Sequence, residues 1–316
     1  MSPSSTGPGT PVGISPRVDC VFRALFADPA HTDRLLDFLN AVLTDRPPIV
    51  SVTITNPVKI LEFLGDKDMV VDLLARDAEG TLFQVEMQSW GHTGLKERML
   101  YAWSALYQRQ SGAGKTFGAL RPVISIWLVD KNCFRAAREF HHRFQVMSRE
   151  EGIVLSDDLD IHVLELDRWR EGSEWKVAPA IGRWMSFFSG AEGWADVPPS
   201  LQSPVLEDAM TVLQTFRDNN EWNHAYRARL EFQMIQASMA EDLEKKQRET
   251  EAALQAKERA EARAEAAGAE ADRERAEKER ERAEKEREHG EKMKERAEKE
   301  RFRALLLQAG LLPDES

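Results

Sequence analysis

Two acidic residues fourteen positions apart, Asp72 and Glu86, are the side chains whose type and spacing best suit chemistry. They lie on two apolar runs, 69–76 and 82–87, separated by Asp77-Ala78-Glu79-Gly80, a turn signal. The pattern predicts a hairpin. Side chains alternate along a strand, so Val70, Asp72, Leu74 and Arg76 share one face of the first strand. On the second strand Gln84, Glu86 and Gln88 share one face, and Phe83, Val85 and Met87 take the other. A five-residue loop over 77–81 pairs position 72 with position 86. That sets two carboxylates ~5 Å apart at Cβ, where like charges destabilise. Val70, Val71, Leu73 and Leu74 flank Asp72 and limit its solvation. A divalent cation reverses the sign of the effect, because two carboxylates and a backbone carbonyl suit Mg²⁺. From spacing alone, the competing reading is a water-facing polar strand face with no role.

Other reactive residues carry weaker signals. His141 and His142 are adjacent on an expected strand, so they point to opposite faces and do not converge on one metal. His92 reads as a loop histidine, and Cys133 as an inert thiol. Gly112-Ala113-Gly114-Lys115-Thr116 lacks the G-x-x-x-x-G-K spacing of a phosphate loop and follows a helix rather than a strand. Trp127 reads as core, and Trp90 as core or interface packing.

The elements that must position the two acids follow from periodicity. Residues 22–25 and 35–43 are expected to be helical, with Leu35, Leu36, Leu39, Val42 and Leu43 on one face and Pro47-Pro48 as a stop. Residues 95–109 read as a helix ended by Gly112 and Gly114. The run 123–129 (VISIWLV) reads as a strand buried on both faces. Residues 140–147 and 161–166 read as further strands. The sum is an α/β layer architecture.

The 316 residues are 42% hydrophobic and 31% charged, which excludes full disorder, and no apolar run approaches the ~18 residues of a spanning helix. The first sixteen residues are rich in Ser, Pro, Gly and Thr, so residues 1–16 are expected to be disordered and to hold no secretory signal. Two cysteines, Cys20 and Cys133, give no disulfide framework and fit a cytoplasmic location. The net charge of −11 offers no electrostatic hint of nucleic acid. Residues 17–195 are expected to form the α/β domain and 196–240 a helical segment. Residues 241–303 hold 21 acids and 19 bases and read as a charged helix; 304–316 form a short apolar end. The charged stretch repeats RERAEKE at 273–279 and 280–286. The seven-residue period suggests a coiled coil, yet the fourth position of each heptad offers only Ala276, Ala283, Gly290 and Ala297. Glu274–Lys278, Glu281–Lys285 and Glu295–Lys299 have the favourable i,i+4 order of a solvated helix. Self-association, if it occurs, must draw on the apolar ends around 239–243 and 302–312.

Taken together, the motifs resemble the PD-(D/E)XK nuclease superfamily and, within it, the recombination-promoting nucleases also labelled transposases. The resemblance rests on Asp72 followed by Glu86-Met87-Gln88, Asp19-Cys20-Val21-Phe22-Arg23, LLDFLNAVL at 35–43, Lys67, Gly80, Arg98-Met99-Leu100-Tyr101 with Tyr107 and Gln110, and the strands at 120–126 and 161–166 with Phe144. It implies a restriction-endonuclease-like mixed sheet flanked by helices, here followed by the long charged C-terminal helix. It implies a metal-dependent DNA endonuclease that hydrolyses phosphodiester bonds, with Mg²⁺ (or Mn²⁺) held by Asp72 and Glu86. Gln88 stands where the superfamily has Lys, and it can orient water but brings no charge. Asp19 would complete the acidic site. Lys96, Arg98, Arg109, Lys115 and Arg121 are the expected contacts to DNA phosphates. Arg23 replaces a Lys of the family motif, and Ala102 follows Tyr101 where a second Tyr is common. A rival expectation is a catalytically degenerate fold that acts as a binding or homo-oligomerisation module through its helical tail. No membrane partner is expected.

Overall fold

The structure, a computed structural model, describes residues 10–55, 59–60, 69–89, 94–112, 114, 116–172 and 180–308. In chain order the described elements are α1 (Asp19–Phe26), α2 (Asp33–Val42), β1 (Thr53–Ile54), β2 (Lys59–Ile60), β3 (Met69–Val70), β4 (Leu73–Arg76) and β5 (Leu82–Gln88). There follow α3 (Leu95–Gln108), β6 (Val123–Val129), β7 (His141–Phe144), β8 (Leu159–Glu165), α4 (Leu166–Glu171), α5 (Ala180–Gly190), α6 (Pro204–Asp218) and α7 (Asn220–Gln308). Two compact units emerge, Met1–Leu243 and Glu244–Ser316.

A mixed six-stranded sheet organises the first unit in the order β1-β4-β5-β6-β8-β7. The central strands β5, β6 and β8 run parallel. The outer pairs, β1 with β4, β4 with β5, and β7 with β8, are antiparallel. All seven residues of VISIWLV in β6 are buried, as a central strand covered on both faces requires. On one face Phe83, Val85 and Met87 of β5 and Ile124, Ile126 and Leu128 of β6 join α1, α2, α5 and α6 in the main core. An aromatic cluster of Phe22, Phe26, Phe38, Trp184 and Phe188 fills that layer, with ring centroids 5.2–6.2 Å apart. On the other face α3 lays Leu95, Met99, Ala102 and Leu106 over Trp127, Val129, Leu82 and Val123. The parallel step from β5 to β6 thus crosses through α3.

The expected strand 69–76 is interrupted. Its ends form β3 and β4, while residues 71–72 leave the ladder. Side chains take the place of the backbone partners there: the Asp72 N–H donates to Glu86 Oε1 at 3.3 Å, and the Met87 N–H donates to Asp72 Oδ2 at 3.2 Å. The strand expected over 140–147 is shorter, ending at Phe144 with an isolated bridge between Met147 and Val154 beyond it. The hairpin turn contains Gly80 at φ +92°, a backbone region that L side chains rarely adopt. Arg121 Cγ would lie 3.1 Å from a Cβ placed on that glycine.

Residues 10–16, part of the stretch expected to be disordered, lie against the first unit. The Val12 N–H donates to the Trp194 carbonyl at 2.8 Å, and Val12 and Ile14 are buried in the main core. Two apolar side chains among polar and small residues are enough to anchor the segment. The α6 helix starts from Ser203, whose hydroxyl accepts the Leu206 N–H at 3.2 Å, with Pro204 in the first turn. Its Leu206, Met210, Leu213 and Phe216 belong to the main core, as does Tyr226 of α7.

The second unit is helical as far as Gln308, and its described side chains lie open to solvent up to Leu305. Ion pairs at i,i+4 span it: Glu274 with Lys278 at 2.8 Å, Glu281 with Lys285 at 3.7 Å and Glu295 with Lys299 at 2.6 Å. Each exposed pair is screened by solvent and contributes little, but they recur along the helix. Among the described residues no helix is long and apolar enough to cross a membrane.

Candidate active site

The β4–β5 register pairs Leu73 with Val85, Leu74 with Gln84, Ala75 with Phe83 and Arg76 with Leu82. Carried one residue further, it sets Asp72 opposite Glu86. The two hydrogen bonds from Asp72 N and Met87 N lock that corner. The water-facing alternative does not hold: Gln84, Glu86 and Gln88 are 0%, 4% and 8% exposed, because α3 covers their face of the sheet.

A polar chain runs through this buried layer. The Trp127 indole N–H donates to Ser125 Oγ at 2.8 Å, and Ser125 donates to Gln84 Oε1 at 2.9 Å. Gln84 Nε2 in turn donates to Glu86 Oε1 at 3.0 Å. Every link is satisfied, which fixes the Glu86 carboxylate in place. Arg98, on the first turns of α3, donates from Nη1 to Gln88 Oε1 at 2.9 Å, and its guanidinium lies 5.7 Å from the Trp127 ring centroid. Arg23 of α1 donates to Asp72 Oδ1 at 3.2 Å. Asp19, at the start of α1, pairs with Arg229 of α7, whose Nε lies 3.2 Å from Asp19 Oδ1.

The electrostatics follow from burial. Glu86 is pushed up to about 8, first by burial and then by the Asp72 charge, with Gln84 and Arg98 working against both. Burial also pushes the Asp72 carboxyl upward; the Met87 N–H and Arg23 oppose this, and Asp19 adds to it. The pair therefore resists carrying two full charges at neutral pH.

The expected site residues fall into three groups. Asp72, Glu86 and Gln88 converge, and Asp19 is near enough to act on Asp72 electrostatically. Arg98 stands inside this group, whereas Lys96 sets its ammonium over the Phe134 ring, 4.8 Å from the centroid. Arg109 and Arg121 lie at the opposite end of α3 and β5, lining a separate cavity. Lys115, Lys67, Trp90 and His92 lie outside the described residues. Arg23, Gln84 and Ser125 were not among the expected site residues. The first was visible only as a substituted position in a motif, and Gln84 only as the third member of an alternating polar face.

The remaining candidates take structural places. His141 Nε2 meets His162 Nδ1 at 2.8 Å, whereas His142 Nε2 lies 3.3 Å from Glu165, so the two histidines do diverge. Burial first, and then Glu165, push the Cys133 thiol up to about 11, which leaves it un-ionised at neutral pH. Trp127 is fully buried.

Among the described residues no group of three or more His, Cys, Asp or Glu is placed to hold a metal ion. The Asp72–Glu86 pair supplies two hard oxygen donors, and Mg²⁺ is commonly bound through one or two carboxylates, water and substrate phosphates. A carboxylate pair of which one member is buried and both have a raised affinity for protons fits such an ion by its donor chemistry.

The α/β domain thus brings two acids together at the foot of a hairpin, beside an arginine-bearing helix. The chain matches the family model described as PD-(D/E)XK nuclease family transposase over residues 16–242, and it belongs to that family. No curated protein matches the chain. No solved structure matches it. The family match and the first compact unit end within a residue of each other, at 242 and Leu243.

Proposed function

We propose that this chain is a divalent-metal-dependent DNA endonuclease whose site is the Asp72–Glu86–Gln88 corner. The observation that carries this reading is the enforced meeting of the buried Glu86 carboxylate and the part-buried Asp72 carboxylate at the foot of one hairpin. Such a pair is destabilising in isolation and is retained where a cation compensates it.

Asp72 and Glu86 would hold the ion, Mg²⁺ or Mn²⁺. When bound, it would polarise a phosphoryl oxygen and make a bound water acidic. Gln88 is held through its amide oxygen by Arg98, so the carboxamide presents a fixed orientation to water in the site. Arg98 also brings the positive charge that a glutamine lacks at this position. Arg23 neutralises Asp72 and, on the same oxygen, competes with a cation. Asp19, tied to Arg229, raises the negative potential around Asp72 from the first turn of α1. Lys96 and Arg98 are the contacts to DNA phosphates on this side of the domain.

Purified protein should nick or linearise supercoiled plasmid in Mg²⁺ or Mn²⁺. Asp72→Ala and Glu86→Ala should each lower the rate by at least about 100-fold, the usual scale for losing a site's electrostatic stabiliser. Equal cutting by all three proteins would remove this reading.

A binding or oligomerisation role for α7 has one observation in its favour: Phe232, Ile235, Met239 and Leu243 recur on one face and are 48–66% exposed. That role is compatible with catalysis at the hairpin and is read by oligomer size.

A further inference from the structure

Asp19 is the acid expected to complete the site, yet its carboxylate is committed to another element. Its Oδ1 accepts the Cys20 N–H at 2.8 Å and Arg229 Nε at 3.2 Å, and its Oδ2 accepts Arg229 Nη2. The guanidinium fork of Arg229, 210 residues further along the chain, therefore grips both carboxylate oxygens. Asp19 still acts on Asp72 electrostatically. Among the described residues it is not placed with Asp72 and Glu86 to hold an ion.

The α7 helix sets Arg229 in this position. Three residues earlier, Tyr226 is buried in the main core, and its hydroxyl accepts the Ser15 N–H at 3.1 Å. Three residues later, the Phe232 ring braces the Arg229 guanidinium from the side, 5.9 Å from centroid to guanidinium carbon. The ion pair itself is open to water, with the Arg229 side chain 47% exposed and that of Asp19 19% exposed. A pair so exposed stabilises the fold little, so opening it disturbs the fold little. A divalent cation at Asp72 brings twice the charge of a guanidinium and competes for the same carboxylate.

We propose that Arg229 is a positioning residue that withholds Asp19 from the cation site, so that α7 sets the divalent-ion affinity of the Asp72–Glu86 corner. This inference rests on the metal-dependent reading of that corner.

The test is a Mn²⁺ titration of the full chain without DNA, in which the electron paramagnetic resonance signal reports the free ion. Arg229→Gln opens the pair and should tighten Mn²⁺ binding. In an Asp19→Asn background the same substitution removes only a nearby positive charge, and its gain should be no more than about five-fold. With Asp19 present the gain should be about ten-fold larger than that, a coupling in the range of residues in direct contact. Thermal melting in metal-free buffer checks that each variant folds; Arg229→Met or Asp19→Ser replaces one that does not. Equal gains in the two backgrounds, or no gain, overturn the proposal. Asp72→Ala and Glu86→Ala test the corner separately. If both bind Mn²⁺ as wild type does, the metal reading of the corner fails and this inference falls with it. If both lose Mn²⁺ while Arg229→Gln changes nothing, the withholding role alone is removed.

Discussion

Glu86 is a buried acid whose proton affinity is raised, so its linkage to stability has a definite sign. The folded protein binds this proton more tightly than the unfolded chain, with a folded value of about 8 against an ordinary 4.5. Stability from this group is therefore greatest below pH 4.5 and is lost as pH rises through 8. In metal-free buffer, Glu86→Gln should melt at a higher temperature than wild type at pH 8.5, by the equivalent of up to a few kcal/mol. The gap should close toward pH 5. Added Mg²⁺ should raise the wild-type melting temperature and leave Glu86→Gln unmoved. A gap that stays constant with pH would mean that Glu86 is solvated. At this scale the sequence was legible for the acids and Gln88, since a period of two and a turn signal fix which side chains face each other. Arg23 and Ser125 were not legible. Their partners lie 49 and 41 residues away, on elements whose packing angle no local pattern encodes.

Single elements differ in how they are held. The edge strand β7 is half-exposed and joins the sheet through β8 alone. Its anchorage is ionic: Arg143 reaches Asp160 with Nε at 2.8 Å and Nη2 at 2.7 Å, and Arg46 from beyond α2 meets the same carboxylate at 2.8 Å. Asp160 has no exposed surface, and despite burial His162 and Arg143 hold it well below the ordinary carboxylate range. Removing it takes the shared carboxylate from two part-exposed arginines, so Asp160→Ala should cost about 1.5–3 kcal/mol and should speed hydrogen exchange of the β7 amides before those of β6. Equal protection in both strands would argue against this anchorage. The same end of the sheet is acid-sensitive. His141 is held down to about 4, mainly by burial and then by His162. Its unfolded form takes up a proton first, so stability should fall as pH drops from 6.5 toward 4. His141→Gln should flatten that part of the melting curve. Periodicity located β6, β8, α2 and α3 within a few residues. It overran β4 because side-chain hydrogen bonds at Asp72 replace the ladder, and apolar patterning does not register such a substitution.

At the scale of the whole chain, the core closes before the charged helix begins. The last residues contributing to it are in α6 and the first turns of α7, and the described side chains from 245 to 305 bury nothing. A protein ending at Leu243 should therefore keep its melting temperature within about 2–4 °C of the full chain, the shift expected for less than ~1 kcal/mol in a domain this size. It should also retain whatever plasmid cleavage the full chain shows. Light scattering on both proteins reads the self-association of α7; an unchanged subunit count removes the oligomerising role. Composition marked this helix plainly, through its balanced charges and heptad repeat. It did not show that α6 and Tyr226 belong to the main core, because their apolar residues have helical spacing whatever they pack against.

Gly80 has a consequence for how the protein can change over generations. Its positive φ makes any replacement strain the hairpin turn, and the 3.1 Å approach to Arg121 means a new Cβ must also shift that arginine. A mutation at this one codon therefore alters two traits together, the turn that sets the register of the acids and the placement of the Arg121 side chain. Neither trait can be tuned at this position without the other.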